Sequence, residues 1–269
     1  MTNQNKGIAL ITGASSGIGA IYADRLARQG YDLILVARSA DKLEQPATQL
    51  TRDTGRQVET MAADLTDTAD LDRVEFALKT DPAITMLVNN AGVGSTAPLL
   101  QSDIWAMERM ITLNVNVLTR LAHAAAPGFV ARGAGTIVNI ASIVAVAPEL
   151  LNGVYGGSKA FVLAFTQSLQ NELAGKGVRV QAVLPGATAT GFWSVAGTPV
   201  EHLPGEIVMD AEDMVDAALS GLEQGETVTL PALPDPRDWN AYEAARKALG
   251  PGLSRSEPAA RYRRRQLAA

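Results

Sequence analysis

Cysteine is absent from all 269 residues, which excludes disulfides, thiolate metal sites and a cysteine nucleophile. Histidine is almost as scarce. His123 and His202 are the only imidazoles, so a zinc centre or a Ser-His-Asp triad has almost nothing to be built from, and no metal is expected. Aromatic residues make up 5% of the chain, leaving Ala, Val, Leu and Ile to fill a core. An excess of positive charge is also missing. Against 23 basic side chains stand 28 acidic ones, a formal charge of −5 that disfavours nucleic acid and anionic membrane as partners. Long apolar runs are lacking too. The stretch from Thr136 to Leu151 is broken by Asn139, Ser142 and Pro148 and is too short to span a bilayer. The polar start, Met1 to Gly7, runs straight into a strand pattern and does not read as a signal peptide. A cytoplasmic protein is the expectation.

What is present is 47% hydrophobic residues in an alternating arrangement. Short β-branched runs at Ile8–Thr12, Asp32–Val36, Gln57–Met61, Thr85–Val88, Thr136–Ile140, Arg179–Val183 and Thr227–Leu230 read as strands, several of them nearly continuous apolar runs of the kind covered on both faces. Between them lie amphipathic segments such as Ile18–Gln29, Asp41–Thr51, Ile104–Ala125, Ser158–Ala174 and Ala211–Glu223. Strand followed by helix, repeated, predicts an α/β fold: a doubly wound parallel sheet of about seven strands joined by right-handed crossovers. Ligands bind such sheets beyond the carboxyl ends of the strands. The texture changes at Pro231. Residues 1–230 are expected to form the main domain, and residues 231–269 a proline-punctuated helical appendage packed on it, with one helix at Trp239–Leu249. The cluster Arg261, Arg263, Arg264 and Arg265 is read as a solvated or salt-bridged tail, a partner-docking site being the sharper alternative.

The segment Thr12-Gly13-Ala14-Ser15-Ser16-Gly17-Ile18-Gly19 follows the first strand and opens the first helix. Glycine at 13, 17 and 19 lets the backbone turn tightly and approach a pyrophosphate, and a helix N-terminus offers N–H groups to the anion. The second strand ends Val36-Ala37-Arg38. An acid near this point would accept the adenine-ribose 2′-hydroxyl, whereas Ala37 removes it and Arg38 supplies donors suited to a 2′-phosphate. Tyr155 and Lys159, four residues apart, share a helix face. A phenol is a poor acid–base catalyst near neutrality, but an ammonium at ~4 Å and an effective dielectric of ~20 favours phenolate by about 4 kcal/mol before desolvation.

Taken in order, these segments resemble the classical short-chain dehydrogenase/reductase family over roughly residues 6 to 230. The resemblance implies a Rossmann-type sheet. It also implies that Gly13, Ser15, Ser16, Gly17, Ile18 and Gly19 form the cofactor turn, with Arg38 at the ribose and Asp64-Leu65 at the adenine. Asn89-Asn90-Ala91-Gly92 looks like the signature after the fourth strand; Asn90, Ala91 and Gly92 would border the cofactor, while a sheet-stabilising role for the asparagines stays equally open. Pro185-Gly186 with Thr190 resembles the nicotinamide-side motif, and Thr188 is a candidate not separable from Thr190. Asn114, Ser142, Tyr155 and Lys159 fall at the four catalytic positions. In that pattern Tyr155 is the general acid/base, Ser142 holds the substrate oxygen, Lys159 binds ribose hydroxyls and tunes Tyr155, and Asn114 anchors a relay water. The cofactor expected is NADP(H).

The substrate surface should come from Val93–Leu99, Ile143–Val154 and the loop after Pro185-Gly186, which bring Val144, Val146, Leu150, Leu151, Phe192 and Trp193. No Lys or Arg in them could grip an anion, so an apolar or weakly polar carbonyl compound or secondary alcohol is expected. Gly191–Met209 reads as a lid, with a core role for Phe192 and Trp193 equally open. The resemblance implies a homodimer or homotetramer, and the long tail favours the dimer. Three other readings are a non-catalytic NADP-binding redox sensor, an enoyl reductase and a sugar-nucleotide epimerase. The intact Asn114, Ser142, Tyr155 and Lys159 argue against the first, the Tyr–Lys spacing against the second and the chain length against the third.

Overall fold

The structure, a computed structural model, describes residues 5–262. Residues 1–4 of the polar start, and Arg263, Arg264 and Arg265 of the basic cluster, lie outside the described residues. Two compact units are present, Met1–Ala232 and Leu233–Ala269.

The first unit is a Rossmann-type α/β fold. Its strands are β1 (Ile8–Thr12), β2 (Asp32–Ala37), β3 (Val58–Ala62), β4 (Ile84–Asn89), β5 (Gly135–Ile140), β6 (Val178–Val183) and β7 (Val228–Thr229). All pair in parallel, in the order β3-β2-β1-β4-β5-β6-β7. The order reverses between β1 and β4, which opens a crevice at their carboxyl ends. Alternate side chains of each strand feed opposite faces. Ala9, Ile11, Leu33 and Leu35 join one core cluster with Tyr22, Leu26, Leu43 and Met214 of α1 (Gly17–Arg28), α2 (Asp41–Thr54) and α8 (Ala211–Glu223). Leu10, Ile34, Val36 and Ile137 join the other with Val74, Leu121 and Leu169 of α3 (Thr68–Thr80), α5 (Leu118–Arg132) and α6 (Gly153–Glu172).

Several elements differ from the sequence expectation, each for a local reason. Helix α3 was not singled out at all: its buried face is narrow, and its start is made by Asp67, whose carboxylate accepts from the N–H groups of Ala69 and Asp70 at 2.9 and 3.1 Å. The helix expected over 104–125 is three pieces: α4 (Ile104–Ile111), a π-helical turn at Thr112–Val117, and α5, which passes through Pro127 and stops only at Gly133. Phe129, fully buried beyond that proline, gives the extra turn a reason to persist. Helix α6 starts at Gly153 and not at Ser158, because Asn152 caps it by accepting from Val154 and Tyr155 N–H at 2.9 and 3.3 Å. Helix α7 (Phe192–Ala196) lies inside the segment expected to form a lid.

In the second unit, α9 (Pro236–Ala248) begins three residues before the expected Trp239, with Pro236 in its first turn and Asp235 accepting from Arg237 N–H at 2.9 Å. A short α10 (Gly250–Leu253) follows. The Trp239 and Tyr242 rings stack at 5.2 Å along α9.

Candidate functional site

The turn between β1 and α1 is built against the segment leaving β4. Thr12 Oγ1 accepts from the N–H groups of Asn90 and Ala91, both at 3.0 Å, and Asn90 Nδ2 donates to the carbonyls of Thr12 at 2.9 Å and Gly13 at 3.2 Å. Gly13 has φ +67° and Gly17 φ +53°, a region costly for any residue with a Cβ. A Cβ on Gly13 would also stand 2.9 Å from Asn90 Nδ2, and one on Gly19 would collide with the Gly13 carbonyl. Ser16 holds the N-cap position of α1 in extended backbone, and its side chain makes no capping bond. The first N–H groups of this 12-residue helix are thus left to an external acceptor, which suits a pyrophosphate. Ser15 and Ile18 flank them half-buried.

At the next strand, Ala37 is buried and Arg38 is exposed. Asp64, half-buried, accepts from both the N–H and the hydroxyl of Thr66 at 2.9 and 2.7 Å. Those donors, with a smaller contribution from the Arg38 guanidinium, hold its carboxyl below the usual range. Leu65 beside it is buried. The structure therefore puts Arg38 and Asp64 in one electrostatic neighbourhood at the carboxyl ends of β2 and β3.

Tyr155 sits in the first turn of α6, 6% exposed, and Lys159 one turn on, equally buried. Lys159 Nζ donates to the Ile140 carbonyl at 2.9 Å and lies 5.9 Å from the centre of the Tyr155 ring. Burial pushes the Tyr155 phenol up to about 12, a hydrogen bond from Ser142 pulling the other way, and burial pulls the Lys159 ammonium down to about 8. Desolvation therefore outweighs the phenolate stabilisation that the four-residue spacing alone suggests. Ser142 follows β5, its Oγ 3.4 Å from both Val144 N and the Pro185 carbonyl. Asn114 lies in the π turn. Its amide is committed: Oδ1 accepts from Val93 N at 3.0 Å, and Nδ2 donates to the Val93 carbonyl at 2.9 Å and to Ser158 Oγ at 3.0 Å. Gly92 leaves the room beside it; a Cβ there would stand 3.1 Å from Asn114 Oδ1 and 3.5 Å from Lys159 Nζ.

Pro185 is buried and Gly186 half-buried after β6. The two threonines beyond them separate. Thr188 is buried and turned back on Gly186, donating to its carbonyl at 3.2 Å, whereas Thr190 is half-buried and its methyl lies 3.4 Å from where a Gly17 Cβ would be. Thr190 thus faces the cofactor turn. Phe192 and Trp193 also take different parts. Trp193 is buried and its indole N–H donates to the Thr188 carbonyl at 2.9 Å, while the half-buried Phe192 ring lies 5.7 Å from the Tyr155 ring.

The profile of the family described as short chain dehydrogenase matches residues 7–199. The chain belongs to the short-chain dehydrogenase/reductase family. Among solved structures, this member is similar to a short-chain dehydrogenase from Sphingobium yanoikuyae in complex with NADPH, at 48% identity and a TM-score of 0.93 over 96% of this chain and 100% of that one. It is also similar to a bulky-bulky ketone specific alcohol dehydrogenase from Comamonas testosteroni, at 43% identity and a TM-score of 0.89 over 96% and 99% of the two chains. A very-long-chain 3-oxoacyl-CoA reductase of Anas platyrhynchos is 35% identical over 187 residues, which are 68% of this chain and 60% of that protein's length. The protein is an oxidoreductase of this family.

Thr12, Asn139 and Asn152 shape the site of this short-chain dehydrogenase through contacts that no sequence pattern showed, while Asn89, for which a sheet-stabilising role stood open, bonds across β4 and β5. Thr12 organises both turns around the cofactor crevice. Asn89 donates to Asn139 at 2.9 Å and Asn139 to Thr166 at 2.9 Å, a buried chain tying β4, β5 and α6 together. Asn152, besides capping α6, donates to the Ala97 carbonyl at 2.6 Å and to Ser102 Oγ at 3.2 Å, which binds the loop after β4 to the helix carrying Tyr155. The distant partners of Thr12, Asn89, Asn139 and Asn152 lie 27 to 79 residues away in sequence, so no local pattern pairs them. Among the described residues no group of His, Asp and Glu could hold a metal ion, and no helix is long and apolar enough to cross a membrane.

Proposed function

We propose that this short-chain dehydrogenase/reductase interconverts a carbonyl compound and its secondary alcohol with NADP(H), Tyr155 exchanging the proton. The observation that carries this is the surroundings of the phenol. Tyr155 is hydrogen-bonded by Ser142 and packed in an apolar cluster with Met110 and Val144, against which Val93, Leu151, Val154 and Phe192 lie. NADPH, when bound, supplies the hydride to the carbonyl carbon. The uncapped first turn of α1 would hold its pyrophosphate, Arg38 its 2′-phosphate, and Thr190 the side facing Gly17.

This chain's own residues handle the proton. A substrate oxygen beside Ser142 Oγ and Tyr155 Oη accepts a hydrogen bond from each, and Tyr155 passes its proton to that oxygen as negative charge develops. Lys159 has one donor on the Ile140 carbonyl and two to spare, enough for ribose hydroxyls while its charge favours the phenolate left behind. Asn114 acts through others: it holds Val93 and Ser158, and so positions the wall and the helix turn around Tyr155. The NADPH complex of the Sphingobium relative and the ketone specificity of the Comamonas relative favour the same reading.

The test is NADPH oxidation with a panel of ketones by wild type and Tyr155→Phe. A loss of about 10²- to 10⁴-fold in kcat, with NADPH affinity kept, is expected for removal of a general acid. Full activity in the variant would sink the assignment.

A further inference from the structure

Phe192 is the first residue of α7, and its ring is wedged between Tyr155 and Gly94. It lies 5.7 Å from the Tyr155 ring at an interplanar angle of 42°, and meets Trp193 edge-on at 5.7 Å. On its other side, a Cβ built on Gly94 would overlap its Cζ and stand 3.0 and 3.3 Å from Cε2 and Cε1. The backbone at Gly94 is not in the left-handed region, so an alanine there is opposed by the ring, which would have to shift, and not by the backbone conformation.

The helix under the ring is fixed at several points. Thr96, two residues beyond Gly94, sends both its N–H (2.9 Å) and its hydroxyl (3.1 Å) to the Ala196 carbonyl at the other end of α7. Thr198 donates to Thr96 Oγ1 at 2.9 Å, and Trp193 is held by the Thr188 carbonyl. The loop after β4 and the loop after β6 are therefore clasped across the mouth of the site. Within that clasp the Phe192 side chain is half-buried, whereas its neighbour Trp193 is buried and hydrogen-bonded.

We infer that Phe192 is a specificity-determining residue of this oxidoreductase, its ring occupying space beside Tyr155 that a large substituent of the carbonyl substrate takes, and that Gly94 is the position whose missing side chain lets the ring lie there. The inference rests on the function proposed above. A carbonyl oxygen at Tyr155 and Ser142 brings one substituent of its carbon towards Phe192, so the ring's position sets how wide that substituent can be. A narrow ketone gains contact with the ring; a wide one has to displace it.

The experiment compares acetophenone with hexanophenone, using NADPH, in wild type, Phe192→Ala, Phe192→Leu, Gly94→Ala and the Gly94→Ala/Phe192→Ala pair. Thermal unfolding and NADPH binding are measured alongside to show that each variant is folded. Phe192→Ala should raise the hexanophenone-to-acetophenone ratio of kcat/KM at least tenfold, carried by KM, with Phe192→Leu between it and wild type. Gly94→Ala should move the same ratio by evicting the ring, and should add nothing once Phe192 is alanine. An unmoved ratio in a folded Phe192→Ala, or a Gly94→Ala effect undiminished without the ring, overturns this inference while leaving the proposed function standing. A wild type that oxidises no NADPH with either ketone overturns both.

Discussion

Lys159 shows how burial decides the behaviour of a single side chain. Its pKa falls from 10.5 to about 8 because the ammonium is desolvated, so the unfolded chain binds its proton more tightly than the folded one. Below about pH 8 the folded protein carries the whole penalty, and the penalty fades as pH rises towards 10.5. Cofactor-free wild type should therefore gain up to about 3 kcal/mol of stability across that window, a slope that Lys159→Met removes. Thermal melts of both proteins from pH 7 upward check this, the slope being the readout because the variant also strands the Ile140 carbonyl. Tyr155 moves oppositely: its raised pKa makes stability fall above pH 10, so the gain is confined below that point. Arg38 is the second residue whose effect is separable. It is exposed and close enough to Asp64 to lower that carboxyl, so Arg38→Asp should drop the NADPH-over-NADH ratio of kcat/KM at least tenfold, the scale of one lost charge-assisted hydrogen bond. An unchanged ratio would remove Arg38 from the 2′-phosphate.

The π turn between α4 and α5 is the element that most affects the chemistry. An extra residue in a helical turn shifts the register of everything after it, and here it aims the Asn114 amide at Val93 and Ser158. Asn114→Ala should strip the N–H and carbonyl of half-buried Val93 of their side-chain partner and Ser158 Oγ of a donor, Ser158 keeping its bond to the Tyr155 carbonyl. It should cost about 1–3 kcal/mol for each Val93 group that water does not reach, and lower kcat because the supports of Tyr155 loosen. Melting temperature and ketone reduction measured together check it; unchanged values for both would assign Asn114 no structural role. Such a turn is hard to read in a sequence whose apolar residues still look helical on either side. Helix α3 escaped for a related reason: only Leu71, Val74 and Leu78 of its apolar residues are well buried, and the remainder of the segment reads as a charged surface. Strands β1, β2 and β5, by contrast, are buried on both faces, so their apolar runs stand out within one or two residues of their true ends, whereas the edge strand β3 has no fully buried residue.

Across the whole molecule, every member of the two large core clusters precedes Ala232, while none of the described residues beyond it is buried. A chain ending at Ala232 should therefore keep its far-UV circular dichroism and a cooperative thermal transition. Loss of that transition would mean that the unit Met1–Ala232 does not fold alone.

The alternation of apolar runs and amphipathic segments was enough to specify the doubly wound parallel sheet, because strand period and helix period are properties of neighbouring residues. The glycine turn, Arg38, Ser142, Tyr155 and Lys159 were legible as candidates for the same reason: each stands at a set distance from a strand end or from its partner along the chain. Which groups those side chains meet was decided only by folding. Thr190 faces Gly17 while Thr188 turns inward, Asn114 is spent on Val93 and Ser158, and Phe192 lies on Tyr155 because Gly94, 98 residues earlier, has no side chain. Contact between distant segments and the loss of water around them have no local signature, yet they shift the pKa of Tyr155 and Lys159 and bring Phe192 against the phenol ring.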